Sequence, residues 1–119
     1  MVELDTDPTV QEFVVETLPD RERVIVAPLG ALDFATVARV RDEMDALVAA
    51  GFADLVLDLR AVTFMDGAGL GLAIAQAGRP DATVRLVDGP RAVARIFDLA
   101  RVREELPFAP PFELARRRD

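Results

Sequence analysis

Apolar positions divide the chain into short blocks whose spacing changes along its length. Phe13-Val14-Val15 and Val24-Ile25-Val26-Ala27 are compact runs rich in β-branched residues, and they predict two strands. Leu18-Pro19-Asp20-Arg21 lies between them and reads as a turn, because Pro and Asp favour its early positions. So short a connection predicts an antiparallel hairpin. After Asp33 the apolar period lengthens to that of a helix. Val37, Val40, Met44, Leu47 and Val48 fall on one stripe of a helix expected over 34–50, with Asp33 as its cap and Gly51 as its stop. Leu55-Val56-Leu57 with Leu59 is nearly continuous, the pattern of a strand covered on both faces.

The later blocks repeat this alternation. A turn at Thr63–Met65 leads into a helix capped by Asp66 that runs to about Ala77, where Gly78-Arg79-Pro80 ends it. Thr83–Val87 predicts another strand. Asp88-Gly89-Pro90 opens a third helix, with Pro90 in its first turn and Val93, Ile96, Phe97 and Ala100 on its apolar face. Leu106-Pro107-Phe108 reads as an edge strand, and Phe112–Arg118 as a short final helix. The order β-β-α-β-α-β-α predicts an α/β fold. Its central sheet has four or five mostly parallel strands, begins with an antiparallel hairpin, and is packed by three or four helices. Residues 1–10 form an acidic lead, and 11–119 form one domain.

Composition narrows the chemistry. The 119 residues are 51% hydrophobic and 29% charged, the balance of a globular protein. There is no His, Cys, Ser, Lys or Asn, and all 14 basic residues are Arg. These absences exclude a thiolate or imidazole centre, a serine triad, a Schiff-base lysine and a P-loop, and they argue against a zinc or haem site. No metal and no cofactor is expected, and a binding protein is a better expectation than an enzyme. A hydrolase using Asp33 and Asp66 as a carboxylate pair lacks any visible orienting set. The formal net charge of −7 argues against a nucleic-acid or anionic-membrane partner, since phosphates demand a basic face. Arg116-Arg117-Arg118 reads as a solvated tail. The amino end has no signal-peptide pattern, and no apolar run is long enough to span a bilayer. A cytoplasmic protein is therefore expected.

One segment carries specific information. Asp58-Leu59 ends a buried strand, and Phe64-Met65-Asp66-Gly67-Ala68-Gly69-Leu70-Gly71 follows a short turn. Each Gly inside a helix costs about 0.8–1 kcal/mol relative to Ala, so this run either lets the helix sit close to the sheet or leaves room for a partner. The segment resembles the signature loop of STAS domains, especially bacterial anti-sigma factor antagonists. Those read Asp-Leu, a turn, then Phe-hydrophobic-Asp-Ser-Ser/Ala-Gly-Leu-Gly. Gly30-Ala31-Leu32-Asp33 with Thr36 resembles the family's Gly-Glu-Leu-Asp stretch. Val84–Val87, the Pro-started helix and Leu99-Ala100-Arg101-Val102 resemble its closing elements. The likeness spans about 11–109.

The resemblance implies a STAS fold like that of SpoIIAA. It also implies binding to an anti-sigma factor that is a serine kinase, which frees a sigma factor and regulates transcription. Asp33, Thr36, Asp66, Gly67, Ala68, Gly69 and Leu70 are the partner-binding residues so implied. The family's kinase phosphorylates the Ser after the motif Asp, placing negative charge beside a carboxylate. Here that acceptor position is Gly67, which has no hydroxyl. Thr63 is the fallback acceptor, although a turn-bonding role suits it better; Thr36 suits a helix start. A monomer or weak homodimer is expected. The alternatives are a nucleotide-type small-ligand sensor and a scaffold subunit of a signalling complex.

Overall fold

The computed structural model describes residues 12–110. Strand β1 (Val14–Asp20) and strand β2 (Arg23–Leu32) form the expected antiparallel hairpin. Helix α1 (Val37–Ala49) leads to strand β3 (Asp54–Asp58), and strand β4 (Val62–Met65) leads to helix α2 (Gly67–Ala77). Strand β5 (Thr83–Val87), helix α3 (Arg91–Ala100) and a single 3-10 turn (Arg103–Glu105) complete the described chain. The sheet runs β1-β2-β3-β5, with β4 also pairing β2. The β2–β3, β2–β4 and β3–β5 pairings are parallel, as crossovers through helices require.

Strand β2 is the organising element. Its residues Val24–Val26 pair β3, and Gly30–Leu32 pair β4 on the same edge. Pro28 lies between the two stretches. Counting from the Asp20–Arg23 pair that closes the hairpin, the missing Pro28 N–H points away from β1, so the antiparallel ladder loses nothing. Gly30 has φ +114°, and its N–H donates to Ala61 O at 3.1 Å. A Cβ there would meet Glu12 O at 3.2 Å, so only glycine fits both the conformation and the space.

The core follows the pleat. Val24, Val26, Leu55, Leu57, Val84 and Leu86 join Val40 and Met44 of α1, Leu72 and Ala73 of α2, and Val93 and Phe97 of α3 in one cluster. Ile25, Val56 and Val87 form a second cluster on the alternate pleat positions. Leu55–Leu59 is buried throughout, as its apolar run predicted. Thr17 on β1 donates to Glu43 on α1 at 2.7 Å, fastening the hairpin to the first helix. Arg103 joins Asp88 and Asp98, donates to Ala94 O at 2.8 Å and stacks 4.8 Å over Phe108, so one guanidinium holds both ends of α3.

Several sequence expectations are corrected. The turn at Leu18–Arg21 is in fact Arg21-Glu22. The strands run on through Asp20, and Pro19 is accommodated because β1 is an edge strand. Thr63–Met65 is not a turn but part of β4, held by Ala31–Phe64 and Leu32–Met65 pairing. Helix α1 starts at Val37, not Phe34, because residues 34–36 are taken up by a hydrogen-bonded turn built on Asp33. Pro90 is the N-cap of α3 and lies just before its first turn. Leu106–Phe108 contributes only one bridge, Leu86–Phe108, because the preceding 3-10 turn uses the local backbone. The helix expected at Phe112–Arg118 and the lead at 1–10 lie outside the described residues.

Arg79, just past α2, bonds Asp81, Gln76 and Asp45 of α1. The hydrogen bond from Arg79 holds the Asp81 carboxyl below its usual value of 3.8. A carboxyl lowered in the folded state adds stability above its unfolded pKa and loses it as pH falls through the folded one. Asp81→Asn should therefore melt below wild type at neutral pH. Thermal melts should show that gap close as the pH is taken below 3.8.

Candidate docking site

Strands β2 and β4 end together. Leu32 and Met65 are their last paired residues, so the residues that follow them, Asp33 and Asp66, leave the sheet on neighbouring strands. Adjacent strands lie about 4.8 Å apart. Two acidic residues thus stand at the carboxyl end of the sheet, each at the start of a helical segment.

Asp66 caps α2 from extended backbone, at φ −113° and ψ −167°. Its Oδ1 accepts from the Ala68 N–H at 2.9 Å and the Gly69 N–H at 3.2 Å. That satisfies two amides that the first helical turn leaves without partners. Asp33 closes the turn before α1. Its Oδ1 accepts from the Ala35 N–H at 2.9 Å, and its carbonyl accepts from Thr36 N–H and Val37 N–H, both at 3.0 Å. The Thr36 hydroxyl accepts from Asp33 N–H at 2.9 Å and donates to Ala31 O at 2.7 Å. It is spent on backbone, in keeping with its helix-start reading. Among the described residues no arginine pairs with Asp33 or Asp66, so both carboxylates at this edge are held by uncharged donors, chiefly backbone amides.

The glycines of α2 divide into two kinds. Gly69 is buried, and a Cβ on it would meet Leu32 O and Met65 Cγ, both at 2.5 Å. Here the small residue serves close packing of helix on sheet. Gly67 and Gly71 are exposed, and a Cβ on either would meet nothing within 4 Å. Of the residues the sequence nominates, Asp33, Thr36, Asp66, Gly67 and Ala68 reach this edge with some exposure. Leu70 is half-buried and packs against the core, and Gly69 faces inward. Thr63 is exposed on β4, where the register steps from Gly30–Val62 to Ala31–Phe64. Asp58, at the end of β3, is 1% exposed and bonds Arg60 through both its backbone N–H and its guanidinium.

Sequence reasoning missed two aromatic residues. Phe34, beside Asp33, is 85% exposed, and Phe64, two residues before Asp66, is 53% exposed. Solvent-facing phenyl rings on a small domain are candidate interface anchors. The signal was present, because Phe34 falls outside the stripe of α1, whose core members are Val40 and Met44. No cluster of three or more His, Cys, Asp or Glu suited to a metal occurs among the described residues. No helix among them is long and apolar enough to cross a membrane.

Comparison with known proteins agrees with this geometry. The STAS domain family matches residues 13–115. The chain belongs to the STAS domain family. An anti-sigma factor antagonist from Mycobacterium paratuberculosis superposes with a TM-score of 0.74 at 22% identity, over 86% of this chain and 89% of that one. The anti-sigma factor antagonist SpoIIAA in its unphosphorylated form gives 0.64 at 20% identity, over 86% and 91%. The phosphorylated form of the Bacillus cell fate determinant SpoIIAA gives 0.58 at 19% identity, over 86% and 95%. At these identities the likeness establishes the fold, an α/β sandwich of the SpoIIAA type. No curated protein matches the chain.

The two kinds of glycine in this STAS domain should respond oppositely to a methyl group. Gly69→Ala forces a clash with backbone and should cost about 1–3 kcal/mol. Gly71→Ala meets open space and should gain about 0.5–1 kcal/mol through helix propensity. Asp66→Ala removes the cap and should cost about 0.5–2 kcal/mol. Urea unfolding of the three variants checks all of these.

Proposed function

We propose that this STAS domain is an anti-sigma factor antagonist. In this reading it binds an anti-sigma factor of the serine-kinase type in the bacterial cytoplasm and so releases a sigma factor for transcription. It performs no catalysis and uses no cofactor. The names of its structural relatives support the reading. The observation that carries it is the open amino end of α2, where Gly67 is exposed beside Asp66 and Asp33, with which no described arginine pairs. Asp33, Thr36, Asp66, Gly67 and Ala68, with Phe34 and Phe64 as apolar anchors, are the proposed contacts. Gly69 and Leu70 support them from behind.

The reading includes a lost switch. SpoIIAA exists in a phosphorylated form. In this chain the residue after the motif Asp is Gly67, and the sequence contains no serine. A phosphoryl group adds a charge of about −1.5 to −2 and would repel a partner held beside Asp66. Without an acceptor at Gly67, that release cannot operate there. The Thr36 hydroxyl is held by backbone. The nucleotide-sensor reading is weaker, because Asp66 already occupies the amides an anion would need and adds a like charge.

Co-elution with the anti-sigma kinase of the source organism tests the proposal. The complex should form and persist in ATP. Gly67→Ser should fold unchanged, because its side chain enters open space, and should make release ATP-dependent. Failure to form any complex would reject the binding role. Dissolution of the wild-type complex by ATP would reject the lost switch.

A further inference from the structure

Helix α3 carries two exposed arginines, Arg91 and Arg95, that form no ion pair among the described residues. Arg91 is its first residue, and its first turn contains no acid. The amino end of a helix is the positive pole of its macrodipole, so a cation there is opposed. Arg95 follows one turn later, and like charges at that spacing repel each other. Both are exposed, and among the described residues neither is paired. Of the acids near them, Asp98 and Asp88 are both held by Arg103, while Glu104 and Glu105 lie past the carboxyl end of the helix beside Arg101. Leu99 continues the same stripe one turn beyond Arg95 and is 69% exposed. Arg101, exposed and without an acidic partner among the described residues, lies just past the helix. An open depression of about 470 Å3 is lined by Arg91, Ala94, Arg95 and Asp98. Of the described acids only Asp98, three residues on from Arg95, shares this depression, and its carboxylate is bound by Arg103.

We propose that this exposed face of α3 is a second docking surface, and that its occupant is an acidic amphipathic segment of another protein. Carboxylates one helical turn apart would meet Arg91 and Arg95, and an apolar side chain at the segment's end would cover Leu99. The charge of the whole chain separates this occupant from other anions. At a net charge of −7, an extended polyanion such as RNA or an anionic bilayer is repelled by the rest of the molecule, whereas a short acidic segment can seat on Arg91 and Arg95 at the amino end of α3, clear of Glu104 and Glu105 beyond its far end. The inference stands apart from the α2 surface and does not depend on it.

The test uses the full chain and a fluorescent helical peptide built from Glu and Leu, titrated by anisotropy at about 50 and about 200 mM salt. Wild type should bind it, and the affinity should fall at the higher salt. Arg91→Glu/Arg95→Glu should weaken binding by about tenfold or more, and Leu99→Ala by a few-fold. The double variant should melt close to the wild-type temperature, because Arg91→Glu relieves the conflict with the helix dipole while the pair of glutamates repels as the pair of arginines did; this separates lost docking from lost folding. Asp66→Ala should leave peptide binding unchanged. Absence of peptide binding by wild type, or equal binding by the double variant, would overturn the proposal. So would preferential binding of poly-U RNA or phosphatidylglycerol vesicles under the same conditions.

Discussion

One strand must serve two partners on a single edge. β2 pairs first with β3 and then with β4, and the change of partner falls at Pro28–Gly30. Proline withholds a donor where no ladder needs one, and Gly30 takes a conformation closed to other residues. Because β4 is then carried to the far end of β2, Leu32 and Met65 finish side by side and the two acidic residues emerge together. The same arrangement sets α2 down so tightly on Leu32 and Met65 that Gly69 has no room for a methyl group. The position of this acidic edge is thus a consequence of how the sheet is strung.

Packing explains Gly69 but not its neighbours. Gly67 and Gly71 weaken the helix and touch nothing within 4 Å of where a side chain would begin. At Gly67 and Gly71 the first two turns of α2 therefore expose bare backbone, capped by a carboxylate and accompanied by two exposed phenyl rings. A surface so stripped of side chains allows close approach of another backbone, and its apolar rings supply contact area. The same bareness leaves no hydroxyl to modify at Gly67.

The sequence made much of this legible, and the limits have physical causes. Helical periodicity located α1 and α3, because one face of each lies in the core: Val40 and Met44, Val93 and Phe97; α2 was read from its cap and from its Gly78-Arg79-Pro80 stop. The Asp66 cap was readable because its chemistry is local. Strand β4 was not, since Val62-Thr63-Phe64-Met65 places two exposed residues between two buried ones, and the register step at Gly30–Ala31 breaks the alternation that identifies a strand. Asp33 was read as a simple cap because the Thr36 hydroxyl, which reaches back to Ala31, depends on a contact that spacing alone does not reveal. The exposure of Phe64 followed from where β4 ends, a tertiary fact, whereas Phe34 already lay off the apolar stripe of α1. The family resemblance reached the right fold through the motif at 64–71; of the contacts it nominated, Gly69 is buried and Leu70 half-buried.

Among the described residues of this STAS domain, Asp33 and Asp66 at the carboxyl end of the sheet and Arg91 and Arg95 along α3 form no ion pair. The central claim is that the anti-sigma partner seats on the first of these. Backbone NMR of the labelled domain, with and without the unlabelled anti-sigma factor, addresses it directly. Resonances of Asp33, Phe34, Phe64, Asp66 and Gly67 should shift or broaden first, while those of the β1 edge at Val14–Asp20 stay in place. A footprint centred on β1, or one that spares the amino end of α2, would contradict the account.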